Sequence, residues 1–372
     1  MTISALGWVS FGSAEAEAVN ALIGALADSE TRDELGIGAI RDGFSDLLFP
    51  GTSTVQTRLR YFLMIPRIFL NLDLRVRDPQ AALRQAEATL IERIRALPEK
   101  ADRAQLIGVD AGASLKRMPS AIYWGGLGAW GVRLDHRARI SDVLERMGRG
   151  ETCWAALPFV PESHMDDFNL THDEADWIVD HCASLRGGQT LLGNLMSSAR
   201  EVAHIEDLTE VKQLGLDAIL QRQLDHALAF AQTVHGAALL YNLMLAERFT
   251  PDSVSVWETE LQDWQSSKTP RADDARTLIA PLLEAGSDIG FAANPMTIKF
   301  VDAWLDVMHD PTSKDARDLI IARERQAKPG RARLQLDSDY KWNGNSGAGR
   351  LTYRWGRVHR YLQDIAEAKQ KL

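Results

Sequence analysis

The chain has 372 residues, of which 45% are apolar and 25% are charged, and its net charge is −9. This composition is that of an ordinary globular protein, and the acidic excess argues against general binding of polyanions. No uninterrupted apolar run is long enough for a transmembrane helix, and the first residues lack the features of a secretory signal. Cys153 and Cys182 are too few for a disulfide framework. We therefore expect a cytoplasmic protein that does not associate with membranes.

Helical periodicity dominates residues 1–150, which we predict as an N-terminal helical lobe. The predicted helices cover about 13–27, 34–48, 55–65, 79–97 and 119–130. Thr31 and Glu34 have the spacing of a capping box for the second helix. Residues 52–54 could cap the third helix, which Pro66 should bend or end because proline lacks an amide donor.

Around residues 151–170 the prolines interrupt this pattern, so we expect a connection there, either between lobes 1–150 and 151–372 or within one continuous domain. The helices predicted beyond it cover 172–186, 189–203, 217–247, 253–266, 273–285, 297–309, 312–326 and 353–370. Strand signals are confined to 133–134 and 332–336. The predicted fold is mainly α, an irregular multi-helix bundle with at most a few short strands. Its predicted buried positions include Leu59, Phe62, Ile122, Leu224 and Leu239.

The C-terminal lobe ends in a basic segment. Between Arg323 and Arg360 there are ten Lys and Arg residues and three acidic residues, a local net charge of +7 that leaves −16 for the rest of the chain. Such a segment can attract a polyanion or dock on the acidic surface of its own chain.

Several arginines are candidates for binding anions or nucleic acid. We predict that two of them lie one turn inside a helix start, where unpaired amides and the helix dipole favour a phosphate. Others flank a glycine-rich loop at 343–350 and lie on the last helix, where Tyr353, Arg357 and Arg360 would share a face suited to nucleic acid. The full set of candidates is Arg58, Arg60, Arg350, Arg354 and Arg357. In the alternative interpretation, these arginines pair with Asp42 or Asp46, and the loop is a structural turn.

Histidines and aspartates cluster between His164 and His181, and His172 and Asp176 lie one helical turn apart, as metal ligands can. Thr171 and Glu174 have capping-box spacing, however, which explains most of the cluster. We therefore predict no metal there, and the sequence indicates no cofactor. Arg354 and His359 have a spacing found in some helical ribonucleases, although Trp355 stands where those enzymes usually have a polar residue.

Three segments resemble a known family. The first, residues 33–63, contains Asp33-Glu-Leu-Gly-Ile-Gly and Leu48-Phe-Pro-Gly-Thr-Ser-Thr. The second, residues 115–131, contains Ala121-Ile-Tyr-Trp-Gly-Gly-Leu-Gly, and the third, residues 341–355, begins Lys341-Trp-Asn-Gly-Asn-Ser-Gly. Together they resemble an uncharacterised bacterial family catalogued as domain of unknown function 6361, over nearly the whole chain. The resemblance brings no catalytic residues. Members occur beside restriction and anti-phage genes, including helicases and phospholipase-D-like proteins, which implies a role in defence against foreign DNA and candidate partner proteins.

The leading hypothesis is a non-catalytic helical module of such a defence system, which binds the backbone of DNA or RNA or a partner protein. The first alternative is an enzyme, a nuclease or phosphoesterase that uses the cluster between His164 and His181 or the pair Arg354 and His359. The second alternative is a structural scaffold subunit. The sequence leaves the ligand and the oligomeric state open.

Overall fold

The computed structural model describes residues 33–96, 106–109, 112, 115–159, 168–267, 272–336 and 340–370. The fold is mainly α, as the periodicity predicts. Numbered α1 to α15 in chain order, the α-helices are Gly38–Leu48, Tyr61–Leu70, Pro79–Ala96, Pro119–Ala129, Ile140–Gly148, His172–Ala183, Leu191–Ser197, Ala199–Val202, Ala218–Phe249, Val254–Ser266, Ala275–Leu278, Ala280–Ala285, Pro295–Val307, Lys314–Ala327 and Trp355–Gln370. Short 3₁₀ helices cover Leu185–Gly188, Leu208–Leu214, Pro251–Ser253, Gly286–Ile289 and Arg333–Gln335.

The chain forms two compact units, and each is built from two separate stretches of sequence. The first unit comprises Met1–Arg41 and His226–Thr352, and the second comprises Asp42–Asp225 and Tyr353–Leu372. These are not the lobes 1–150 and 151–372 expected from the sequence. The physical reason is that α15, besides packing on α6, α7 and α8, bonds to the N-terminal part of the chain, where its Asp364 pairs with Arg58 and accepts the Leu59 amide.

An aromatic cluster forms the core of the second unit, where α2 packs on α3 and α4. The ring of Phe62 stacks on Trp130 at 3.7 Å and meets the edges of Tyr123 and Tyr361. The burial predicted from periodicity is confirmed for Leu59, Phe62, Leu224 and Leu239, which are 0–2% exposed. It is wrong for Ile122, which is half-buried. The face of α4 that packs on the core contains Tyr123, Gly126 and Leu127 instead.

The turn at residues 51–59 differs from the prediction, which placed a helix start there. Gln56 accepts a hydrogen bond from the Ser53 amide and donates one to the Gly51 carbonyl. The Tyr123 hydroxyl accepts the Thr57 amide and donates to the Arg58 carbonyl, both at 2.8 Å. Asp364 accepts the Leu59 amide at 2.9 Å. These side chains replace the bonds that a helix would have made.

Helix α2 therefore begins only at Tyr61, and this shift changes two predictions. The hydroxyl of Thr52 caps no helix, because it donates to the Phe49 carbonyl at 2.7 Å. Pro66 lies inside α2 and does not end it.

Helix α1 is capped by Asp33, whose carboxylate accepts two amides of the first turn at 2.7 and 2.8 Å. The capping box predicted from Thr31 and Glu34 includes Thr31, which lies outside the described residues, as does the helix predicted over 13–27. The carboxylate of Glu34 pairs with Arg333 at 2.9 Å.

The first unit is organised around the long helix α9, whose hydroxyl and amide side chains bind distant segments. Tyr241 donates to the buried carboxylate of Glu324 at 2.6 Å. The same carboxylate accepts the amides of Arg333 and Leu334, at 2.7 and 3.1 Å. Because those amides are used in this way, the strand predicted at 332–336 is a 3₁₀ turn.

Candidate strand 133–134 forms a single antiparallel bridge between Arg133 and Trp154, which is the one β-bridge among the described residues. One described helix, Ala218–Phe249, is long and apolar enough to cross a bilayer. Because 78% of its most apolar window is buried inside the protein, it has the character of a core helix.

Candidate functional site

Two of the arginines predicted to bind anions, Arg58 and Arg60, lie in the interior of the second unit and are each 1% exposed. The Arg58 Nε donates to Asp364 Oδ1 at 2.9 Å, and its Nη2 donates to the Phe168 carbonyl at 3.3 Å. Arg60 contacts the fully buried carboxylate of Glu174 at 3.0 Å. A buried guanidinium of this kind stabilises the fold and cannot reach a nucleic acid phosphate outside the protein.

Arg354 and Arg357 contact the turn that precedes α2. The Nη1 of Arg354 donates to Asp46 Oδ1 and to the Thr52 carbonyl, both at 2.7 Å. Arg357 donates to the carbonyls of Thr54 and Thr57, at 3.2 and 3.3 Å. The structure thus brings both arginines to residues 52–57, and the alternative pairing of an arginine with Asp46 is observed.

The shared face predicted for the last helix is not present, because α15 begins at Trp355. Tyr353 precedes the helix, has a left-handed backbone (φ 53°) and is 1% exposed. Its ring lies 5.6 Å from Phe44. Tyr353 is therefore a core residue and cannot stack on a base.

Arg350 belongs to the first unit, where it lies beside the glycine-rich loop. That loop is held by Asn242, which accepts the Ser346 amide at 2.7 Å and donates to the Ser346 carbonyl at 3.1 Å. His235 bonds to the Ala348 carbonyl, and burial lowers its pKa to about 4. The loop is therefore a structural turn, and phosphate binding by Arg350 stays a prediction.

The residues proposed for enzymatic chemistry have structural partners. Arg354 and His359 contact different segments, since the His359 Nε2 lies 2.9 Å from the Ala203 carbonyl. The capping box of Thr171 and Glu174 is confirmed. His172 contacts Asp176 at 3.2 Å, whereas His164 and its aspartate neighbours lie outside the described residues. Within the described ranges, no three His, Cys, Asp or Glu residues are grouped so that they could hold a metal ion.

A concave cleft of about 1010 Å³ lies in the second unit, bordered by α3, by the starts of α4 and α5 and by the loop between those two helices. We call it the basic cleft. Its described lining contains five Lys and Arg residues and one acidic residue, Glu87. The cationic residues are Arg84, Lys116, Arg133, Arg137 and Arg139.

Four of these five cations are exposed: Arg84, Lys116, Arg137 and Arg139. None of the four forms an ion pair with any residue that the structure describes. In a chain with a net charge of −9, this arrangement creates a local positive potential, which attracts anions. His136 is also exposed in the lining.

Arg133 holds the loop of the basic cleft in place and is only 2% exposed. Its guanidinium donates to the carbonyls of Ala138 and Trp124, at 2.9 and 3.2 Å, and also to those of Asp135 and His136. The group lies 4.4 Å from the centre of the Trp124 ring. Its Nε has no hydrogen-bond partner among the described atoms, and burial lowers its pKa. Arg133 thus places a buried positive charge behind the exposed ones.

Glu87, on α3, also lines the basic cleft and is 2% exposed. Its carboxylate accepts the amide of Ser120 at 2.6 Å and the hydroxyl of the same residue at 3.1 Å. It thereby caps α4, whose N-cap residue, Met118, has no side-chain oxygen. Burial raises the pKa of Glu87, because the interior disfavours the charged form of its carboxylate. The starts of α4 and α5 both border the cleft, and their dipoles add partial positive charge.

Sequence reasoning missed the basic cleft because its cations come from three separate segments. The strongest local signal is the run from Arg133 to Arg139, where three arginines and a histidine fall within seven residues. The pattern of that run alone predicts only a short strand at 133–134.

The comparisons with known proteins give one match. No curated protein and no solved structure matches the chain. The model of a family of unknown function, DUF6361, matches residues 3–369, which is nearly the whole sequence. This confirms the resemblance carried by the three segments at 33–63, 115–131 and 341–355. The chain therefore belongs to the DUF6361 family.

Proposed function

We propose that this protein binds the sugar–phosphate backbone of nucleic acid in the basic cleft, without preference for base sequence. The observation that carries the proposal is the charge of the cleft, with five cationic side chains and one buried acidic residue in its described lining. Neutralising phosphates with Lys and Arg supplies most of the affinity of nonspecific nucleic acid binding.

Trp124 supports backbone contact over base stacking. One face of its ring is covered by the Arg133 guanidinium, and its Nε1 donates to the Ala138 carbonyl at 2.9 Å. A stacking platform needs an accessible ring face and freedom to adjust. Contacts to the phosphates alone position a nucleic acid but do not specify its sequence.

The test uses fluorescence anisotropy with labelled single- and double-stranded DNA and RNA at about 50 and 200 mM salt. We expect measurable binding by the parent protein at the lower salt and a steep loss at the higher salt. Arg137→Glu and Arg139→Glu should each weaken binding about tenfold or more, the value of one charge-assisted hydrogen bond. The slope of log affinity against log salt should become shallower by about one for each phosphate that a variant no longer neutralises.

The matched control is Arg200→Glu, because Arg200 is an exposed arginine of the second unit that does not line the basic cleft, and its reversal changes the net charge equally. Equal weakening by this control and by the cleft variants would contradict the proposal, as would a parent protein that does not bind at low salt. Arg350→Glu and Arg357→Glu test the sites predicted from the sequence. If only these two weakened binding, the basic cleft would not be the binding site.

A role in defence against foreign DNA, implied by the family resemblance, is a second part of the proposal. We expect cells that carry the gene with its neighbours to form fewer phage plaques than cells that lack it. Replacing both Arg137 and Arg139 by glutamate should raise plaque counts to those of cells without the gene. If the double variant protects fully, the defence role depends on another surface, such as one that binds a helicase or a phospholipase-D-like protein.

A further inference from the structure

The second unit contains another cavity, between α2 and α3, with a volume of about 330 Å³. Its walls are mostly apolar and include Met64, Ile68, Leu72, Ala86 and Leu90. Sites for small molecules are usually apolar clefts with a few polar groups that fix orientation, and this volume is at the lower end of their range. The cavity is therefore large enough for a small ligand but not for a two-chain lipid.

The charged side chains that line this cavity are all basic, and Asn71 and Thr89 are its uncharged polar groups. Arg60, Arg67 and Arg93 line it at increasing exposure, from the fully buried Arg60 to the exposed Arg93, and no described lining residue is acidic. Arg67 donates to Glu174 at 2.7 Å and to the Pro158 carbonyl at 3.1 Å, which fixes its guanidinium beside the apolar wall. The carboxylate of Glu174 offsets one of the charges of Arg60 and Arg67. With Arg93 the cavity keeps an excess of positive charge beside its apolar walls.

We propose that this cavity binds a small amphipathic carboxylate, with its anionic group toward Arg67 and Arg93 and its apolar body along Ile68, Leu72 and Leu90. Guanidinium groups bind carboxylates with paired, charge-assisted hydrogen bonds. The apolar body gains free energy as its surface leaves water. The site is separate from the basic cleft, because no described residue lines both.

The test is isothermal titration of the full chain with octanoate, compared with octanamide, which lacks the charge, and acetate, which lacks the body. We expect octanoate to bind with one-to-one stoichiometry and both comparison compounds to bind more weakly. Arg93→Met should weaken octanoate binding about tenfold, the value of one charge-assisted bond. Ala86→Phe should abolish binding by filling the cavity.

Arg95→Met is the matched control, because Arg95 lies on the same helix, pairs with Glu92 and does not line the cavity. It should leave octanoate affinity unchanged. Circular dichroism and the melting temperature establish that each variant is folded. The proposal is overturned if octanoate shows no saturable binding at about 1 mM, if octanamide binds equally well, or if Arg93→Met and Ala86→Phe bind octanoate as Arg95→Met does.

Discussion

Replacing Glu174 by alanine is expected to lower the free energy of unfolding by about 3–5 kcal/mol. The carboxylate is fully buried and contacts two guanidiniums, those of Arg60 and Arg67, at 3.0 and 2.7 Å. It also accepts the Thr171 amide as part of the capping box of α6. Its removal leaves the guanidiniums of Arg60 and Arg67 without their carboxylate. A buried donor that loses its acceptor costs more free energy than the hydrogen bond had contributed. Urea-induced unfolding followed by circular dichroism measures the change.

Two further variants separate charge from packing. Glu145→Ala removes the acid of an exposed ion pair with Arg149, at 2.6 Å, and should change the stability little because water screens such pairs. A triple variant with methionine at Arg60 and Arg67 and leucine at Glu174 removes all three charges. It should be more stable than Glu174→Ala. If Glu174→Ala unfolds at the same urea concentration as Glu145→Ala, the buried carboxylate does not stabilise the fold by pairing with Arg60 and Arg67.

The second large effect is expected at Asp364, on α15. Asp364→Ala should cost about 3–5 kcal/mol, because it leaves Arg58 buried without a carboxylate and the Leu59 amide without an acceptor. Arg360, its other partner at 3.0 Å, is 20% exposed and can turn to water. Combining Arg58→Met with Asp364→Leu should recover part of the loss. Additive losses in the double variant would show that the two side chains do not act as a pair.

The pH dependence of stability gives an independent measure of the same group. Burial raises the pKa of Asp364 by more than Arg58 and Arg360 lower it. The native protein therefore holds this proton to a higher pH than the unfolded chain does. The resulting stabilisation is complete below the ordinary pKa of aspartate and is lost as the pH rises through the raised value. Relative to Asp364→Asn, the parent protein should lose stability with rising pH across that interval in urea-unfolding measurements.

Local sequence patterns were sufficient for eight of the fifteen described α-helices. They predicted α3, α4, α6, α9, α10, α13, α14 and α15 to within two or three residues at each end. Helix α5 was missed although Ile140, Val143, Leu144 and Met147 have helical spacing. That signal was present in the sequence, so the omission has no physical cause.

The environment of the candidate arginines could not be predicted in this way. Arg58 and Asp364 are separated by 306 positions, and no local pattern links two charges that far apart. Arginine is almost never fully buried unless it is paired, so exposure was the reasonable expectation for Arg58 and Arg60. The start of α2 at Tyr61 could not be predicted for the same reason. Tyr123 and Asp364, which come from distant segments, accept the amides of Thr57 and Leu59 and hold these residues in a turn instead of a helix. The basic cleft likewise depends on which segments meet.

The discontinuous second unit constrains the order of events during synthesis. A ribosome adds about 5–20 residues per second, so the 306 positions between Arg58 and Asp364 correspond to a delay on the order of 15–60 s. Throughout that interval Asp364 is not available to pair with the guanidinium of Arg58. Burial of the guanidinium without this carboxylate is too costly in free energy. The unit therefore completes its core only after α15 has left the ribosome, even though most of its helices are made first.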